Sequence, residues 1–358
     1  MSFNTFKDKN ILITGHTGFK GSWLSLWLNY LGANVVGFSI DEVGEISNYR
    51  ISHIDKLIND KRGDIASKNE ISKVIKDFKP DFIFHLAAQS LVRESYKFPL
   101  KTMMTNAIGS ANILDSLRDI DQKIVIVMIT SDKVYDNVEW NWGYREDDTI
   151  GGKDPYSSSK GMAELAIKCY LNSYFKLKEN KIAIGVARAG NVIGGGDWAK
   201  DRIVPDCMTA WSINQQVEIR NPSATRPWQH VLEPLSGYLK LAESLYHESN
   251  HGEVFNFGPS SDQTYSVQDL LIEMAKHWDK VSWNHSKLDN AIFHEAGLLK
   301  LNCDKALALL KWRPTLNFEE TVKYTVDWYK TFYKDGGSMQ NFSISQIEDF
   351  MGKMNYAN

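Results

Sequence analysis

Tyr156 and Lys160 stand four residues apart, the spacing that puts two side chains on one face of a helix. A phenol has an ordinary pKa of about 10, so it needs help to take a proton near neutral pH. An ammonium group beside it favours the phenolate. Such a pair can remove a proton from an alcohol, the acid–base half of a hydride transfer. A second cluster is Ser131-Asp132-Lys133, one residue after the apolar run Lys123–Ile129. Its hydroxyl can bond a substrate oxygen, and its carboxyl and amine add acid and base at the same edge. The third cluster is Gly15, Gly18 and Gly21, a GxxGxxG series. Glycines let backbone N–H groups approach a phosphate closely. An ATPase-type phosphate loop, GxxxxGK[ST] counted from Gly15, needs glycine where Lys20 stands, so that reading fails.

Each cluster has a plain structural counterpart: an ordinary helix pair, an N-cap with solvated charges, a tight turn. The elements around them decide. Lys9–Thr14 reads as a buried strand, and Trp23, Leu24, Trp27, Leu28 and Leu31 recur at helical spacing. The glycines therefore join a strand to a helix, where free N–H groups and the helix dipole attract an anion. Asn34–Ile40, Asp81–Leu86, Lys123–Ile129 and Ile182–Ala187 read as further strands. Glu70–Phe78, Leu100–Leu117 and Asp154–Tyr174 read as helices. This alternation predicts an α/β fold with a doubly wound parallel, Rossmann-type sheet over residues 1–190, catalytic residues included. Beyond Asn191 the rhythm breaks. Residues 191–358 read as a smaller mixed α/β lobe, mainly for substrate, with some chain returning to the main domain. Within it, Gly194–Trp198 reads as a flexible turn, Ser266–Asp269 as a capping box and Lys311–Pro314 as a helix exit.

Doubly wound sheets bind ligands beyond the carboxyl ends of their strands. Ser131 lies at such an end, and so does the run from His85 to Gln89, whose small Ala87 and Ala88 let the chain pass close to a cofactor. At the end of the second strand, Ser39 holds the place where NAD enzymes often carry an acidic residue. Asp41 is two residues on, and no arginine is adjacent to take a 2′-phosphate, which favours NAD. Asp64 is a candidate for the adenine edge or an exposed loop aspartate.

With 358 residues, 43% of them hydrophobic, the chain can bury a large core. A formal net charge of −3 gives no polyanion-binding surface, so no nucleic-acid partner is expected. No stretch is long and apolar enough to cross a membrane, and Met1–Asn10 is polar. Cys169, Cys207 and Cys303 are far apart and suit a reducing cytoplasm. The histidines form no HExxH or other zinc pattern, so no metal is expected, and there is no GxSxG elbow. Eleven Trp and fifteen Tyr either pack the core or stack on flat ligand rings.

Together the motifs resemble the extended short-chain dehydrogenase/reductase (NAD-dependent epimerase/dehydratase) family, and within it the sugar-nucleotide 4,6-dehydratases. The resemblance is carried by TGHTGFKGSWLSLWL (Thr14–Leu28), HLAAQSLVRESYKFP (His85–Pro99), TSDKVYDN (Thr130–Asn137), WGYREDD (Trp142–Asp148) and GGKDPYSSSKGMAEL (Gly151–Leu165). It continues through ARAGNVIGGGDWAKDRIVPD (Ala187–Asp206), RPWQHVLEPLSGYL (Arg226–Leu239) and HEAGLLKLNCDKA (His294–Ala306), nearly the whole chain. One departure is Val134, where the resemblance leads one to expect Cys.

The resemblance implies a resident NAD, a CDP-glucose substrate and a place in deoxysugar biosynthesis for surface polysaccharide. Hydride passes from C4 to NAD, water leaves from C5 and C6, and the hydride returns to C6. Tyr156 takes the 4-hydroxyl proton, Lys160 lowers its pKa and holds the nicotinamide ribose, and Ser131 binds the 4-oxygen. Asp132 protonates the departing 6-oxygen. Lys133 acts either as a neutral base at C5 or as a cation beside the enolate. Cofactor contacts are implied at Gly15, Thr17, Gly18, Phe19, Lys20, Ser39, Asp64, Ile65, Leu86, Ala87, Ala88 and Asn106, besides Tyr156 and Lys160. Substrate contacts are implied at Gln89, Ser90, Asn191, Arg202, Arg226 and His230, with Asn191 and Arg226 at the diphosphate; Trp198 and Trp228 lie near the base or sugar, or in the core. A homodimer or homotetramer is implied, paired through the helices at Leu100–Leu117 and Asp154–Tyr174. The rivals are a nucleotide-sugar 4-epimerase or 4-reductase of the same fold, and a non-catalytic NAD(P)-binding sensor.

Overall fold

The computed structural model describes residues 3–42, 44, 46–176, 181–260, 263–285 and 298–356. Residues 294–297 of the His294–Ala306 motif lie outside them. Short apolar runs become the strands β1 (Asn10–Thr14), β2 (Asn34–Ser39), β4 (Phe82–His85), β5 (Ile124–Ile129) and β6 (Ile182–Ala189), with β3 (Asn59–Arg62) between β2 and β4 in the chain. A seventh strand, Val254–Phe257, joins from the C-terminal part. All seven run parallel, in the order seventh strand–β6–β5–β4–β1–β2–β3. This is the doubly wound 3-2-1-4-5-6 order with one strand added.

Side chains alternate across the sheet, so each strand feeds two cores. Ile11, Ile13, Phe82, Phe84, Val125 and Val127 face one core with α1 (Phe19–Tyr30), the helix Leu232–Tyr246 and the C-terminal helix Met339–Tyr356. Leu12, Ile83, Ile124, Ile126 and Met128 face the other, against Ile71, Ile75, Ile113, Leu117 and Ile167. Covering on both faces is why β5 is apolar at every position. The sequence reading does not anticipate β3. Its residues, Asn-Asp-Lys-Arg, carry no apolar run because it pairs with β2 alone, at the sheet edge.

The helical stretch Pro99–Leu117 contains a π-helical turn at Met104–Ile108, and the catalytic helix Pro155–Tyr170 continues as a π-helical turn over Leu171–Phe175. The capping box of Ser266 and Asp269 is present, and the helix Asp304–Leu310 ends at a left-handed Lys311. Gly194–Asp197 is a buried turn and not a flexible one. A Cβ on Gly195 would lie 1.9 Å from the Trp328 ring, so the turn is clamped by the aromatic core.

Candidate active site

The cofactor corner is made largely of backbone. Gly15 has φ +76°, and a Cβ there would lie 2.7 Å from the Ala87 nitrogen, so the ends of β1 and β4 meet only without a side chain. A Cβ on Gly21 would lie 2.1 Å from the Gly15 carbonyl oxygen, which closes the turn onto α1. Gly18, which precedes that helix, offers no side-chain cap, leaving its first N–H groups for an anion. The cradle therefore fits a dinucleotide pyrophosphate. Beneath it, Thr14 Oγ1 bonds His85 Nδ1 at 2.8 Å and accepts the Ala87 N–H at 3.2 Å. Burial, with Lys160 nearby, pushes His85 down to about 3, so its ring is neutral.

Thr17 and Ser39 share a hydrogen bond of 2.8 Å, and Phe19 packs beside Gly194. Leu86, Ala87 and Ala88 are half-buried at the end of β4. Ile65 is buried and its carbonyl accepts from Asn112, whereas Asp64 is exposed and accepts the Ala66 N–H. One feature corrects the sequence reading. Pairing of β2 with β3 puts Arg62 opposite Ser39, so an arginine does adjoin the second strand.

The catalytic corner is made of side chains. Ser131 caps the turn Asp132–Val134, accepting the Lys133 N–H at 3.2 Å, and donates to Asp132 Oδ1 at 2.9 Å. The catalytic helix opens with Pro155 after Asp154, whose Oδ1 accepts the N–H groups of Tyr156 and Ser157. Tyr156 and Lys160 are both buried. Burial raises the Tyr156 phenol to about 12; Ser131 and Arg202 oppose that rise, while Asp132 and Asp154 add to it. Burial lowers the Lys160 amine to about 8, and Glu164, one turn on, holds it up.

Glu164 is a residue the sequence reading missed. It accepts from Thr130 Oγ1 at 2.6 Å and from Arg188 Nε at 2.7 Å, with a second bond to Arg188 Nη2. Arg188 in turn donates to the Tyr135 hydroxyl at 2.7 Å and the Glu146 carbonyl at 2.9 Å. This buried network ties β5, β6 and the catalytic helix together just below Ser131. No local spacing announces it, because Glu164 and Arg188 are 24 residues apart.

The other expected residues divide. Asn106, in the π turn, bonds both backbone groups of Gln89 and donates to Ser159 Oγ at 2.8 Å, so it braces the end of β4 against the catalytic helix. Gln89 donates to Thr102 and to the Leu91 carbonyl, and Ser90 is exposed beside it. Lys20 reaches past the glycine loop to the Tyr238 hydroxyl at 3.4 Å. Burial lowers its amine to about 7; Asp132 opposes this, while Arg202 and Lys160 add to it, so it shares the catalytic cluster. Arg202 joins the same cluster, paired with Asp197 at 2.7 Å, which raises its pKa further. Lys133 and Asn191 are half-buried, following β5 and β6. Arg226 lies opposite Tyr265 in a two-stranded pairing and donates to the Thr225 carbonyl. Its neighbour Pro227 packs on the Gly190 backbone, which also adjoins Asp132.

His230 is packed between Trp23 and Tyr324 in the core and accepts the Leu232 N–H through Nδ1. Trp198 is packed against Trp328 and Phe332, and Trp228 is buried with its indole on the Tyr265 carbonyl. Among the described residues, no three His, Cys, Asp or Glu side chains converge as metal ligands, and no helix is long and apolar enough to cross a membrane.

Residues 12–325 match the family model described as GDP-mannose 4,6 dehydratase. A CDP-glucose 4,6-dehydratase of Salmonella typhimurium is 44% identical over 97% of this chain and 98% of its own length. Among solved structures, a dTDP-glucose 4,6-dehydratase of Bacillus anthracis in complex with NAD superposes with a TM-score of 0.75 at 22% identity, covering 90% of this chain and 97% of that one. A UDP-glucuronic acid 4-epimerase of Bacillus cereus, with UDP-glucuronic acid and NAD, gives 0.77 at 22% identity over 90% and 100%. At that identity the two structures establish the fold.

Proposed function

Because the chain belongs to the GDP-mannose 4,6 dehydratase family, we propose that it is an NAD-carrying nucleotide-sugar 4,6-dehydratase that turns CDP-glucose into CDP-4-keto-6-deoxyglucose. One observation carries the reading. The Ser131-Asp132-Lys133 turn faces a buried Tyr156 and Lys160 at the strand ends beside the glycine cradle. A simple alcohol oxidation needs the hydroxyl, the phenol and the amine, and elimination needs the further acid and base that Asp132 and Lys133 supply.

A dinucleotide bound in the cradle would supply the hydride chemistry, NAD⁺ accepting from C4 and the NADH so formed donating to C6. Tyr156 takes the proton of the sugar 4-hydroxyl, and Ser131 holds that oxygen. A phenol at about 12 needs added positive charge to do so; Arg202 is the cation that already lowers it, and Lys160 lies one turn further along the same helix. Asp132 protonates the departing 6-oxygen. Lys133 serves the loss of the C5 proton, and Arg226 and Asn191 hold the diphosphate, a role for which a planar guanidinium is suited.

Exposed apolar side chains along two helices support a homodimer: Leu100, Met104 and Ile108 on one, Met162 and Leu165 on the other. A monomeric mass in solution would overturn that pairing. Three free cysteines suit the cytoplasm.

Incubation with CDP-glucose in heavy water tests the reaction. The expected product carries deuterium at C5 and lacks the 6-hydroxyl. CDP-galactose would identify an epimerase, and untouched CDP-glucose a non-catalytic binder.

A further inference from the structure

The tip of β2 holds charged groups that the proposed reaction does not use. Arg62, the last residue of β3, lies in register with Ser39, the last residue of β2. Neighbouring strands run about 4.8 Å apart, and the guanidinium folds over the tip of β2, where Nη1 donates to the Ile40 carbonyl at 3.1 Å. From the other side, Thr17 of the glycine loop bonds Ser39. Thr17, Ser39 and Arg62 thus meet where doubly wound dinucleotide folds seat the adenosine ribose. A hydroxyl beside a planar cation, with no carboxylate on the strand end, is a setting that accepts a 2′-phosphate.

Two carboxylates alter that setting. Asp60 takes Arg62 Nη2 at 2.7 Å and Nε at 3.1 Å, and it also bonds His16 Nε2 at 2.9 Å and the Tyr49 hydroxyl. It is anchored from several elements. Glu42, in the loop after β2, differs. One of its oxygens meets Arg62 Nη2 at 3.2 Å and the other meets Arg50 Nε, and its side chain is only 10% exposed. Its carboxylate bridges two arginines as two oxygens of a phosphate would.

We propose that Glu42 is the residue that makes this site prefer NAD over NADP, by filling the arginine-lined place that a 2′-phosphate would take. The proposal rests on the reading of the glycine cradle as a nicotinamide-dinucleotide site. It assigns the preference to a loop carboxylate acting through Arg62, and not to the residue that ends β2.

Dissociation constants for NAD⁺ and NADP⁺, measured by calorimetry without substrate, test it. The wild-type chain is expected to favour NAD⁺. Glu42→Gln is expected to improve NADP⁺ affinity about tenfold and leave NAD⁺ affinity nearly unchanged, because one like charge beside the phosphate is gone. Glu42→Ser should do the same, which covers a failure of the first variant to fold. Adding Arg62→Met to either should abolish the gain. An unchanged NADP⁺/NAD⁺ ratio in both Glu42 variants, or a gain that survives Arg62→Met, overturns the proposal. Failure of the wild-type chain to bind either dinucleotide overturns the cofactor reading itself, and the proposal with it.

Discussion

The cofactor corner and the catalytic corner share one edge of one sheet, yet they are built from opposite materials. The first is shaped by what is missing: Gly15 and Gly21 let three backbone segments touch, and an uncapped helix end supplies the donors. The second is shaped by charge taken out of water: Tyr156, Lys160, Glu164 and Arg188 are all buried. Precision in the first depends on the absence of a Cβ. Precision in the second depends on every buried charge keeping its partner. The two corners should therefore fail in different ways.

The largest effect is expected from Glu164→Gln. It leaves Arg188 buried without its carboxylate, a loss of about 3–5 kcal/mol in denaturant unfolding. It also removes the group that holds up the Lys160 pKa, so the alkaline limb of activity should move to lower pH. A variant with wild-type stability and an unmoved limb would deny the pair its place in the site.

Gly15→Ala should cost less, about 1–3 kcal/mol, through a strained positive φ and a clash with Ala87. Its loss of dinucleotide binding should nevertheless be nearly complete, with the catalytic helix intact by circular dichroism. Wild-type affinity in that variant would erase the contrast between the corners.

The smallest effect concerns acid. Burial pushes His85, under the cradle, and His230, in the aromatic core, both to about 3. The unfolded chain takes up protons on these rings near the ordinary pKa of 6.5, and the folded chain does so only near 3. Between those values the unfolded state binds more protons, so stability falls as pH falls. The slope approaches about 1.4 kcal/mol per pH unit for each histidine. His85→Gln should remove the His85 contribution, read as a shallower decline of the denaturant midpoint between pH 6 and 5. An unchanged slope would mean that His85 is not held neutral.

Much of this is legible in the sequence. The apolar runs that became β1, β2, β4, β5 and β6 are readable because a strand covered on both faces must be apolar throughout. Asp154-Pro155 marks a helix start by its own chemistry, and Tyr156 and Lys160 follow from it. β3 was hidden because an edge strand can be wholly polar. Lys20 is adjacent to the glycines in sequence, but its amine lies among Asp132, Arg202 and Lys160. The turn at Gly194 looked free because its glycines were visible and the Trp328 that packs on Gly195, more than a hundred residues away, was not.

The sequence by itself determined everything set by near neighbours: the strand–glycine–helix cradle, the Ser131-Asp132-Lys133 turn, and the shared helix of Tyr156 and Lys160. Backbone hydrogen bonding and side-chain periodicity act over a few residues, so a short window contains them. Tertiary structure alone decided which charges meet. It set Arg62 against Ser39, Glu164 against Arg188 and Lys20 against the catalytic cluster. Those encounters depend on strand order and on burial, and the strength of a charge pair depends on the water its neighbours exclude.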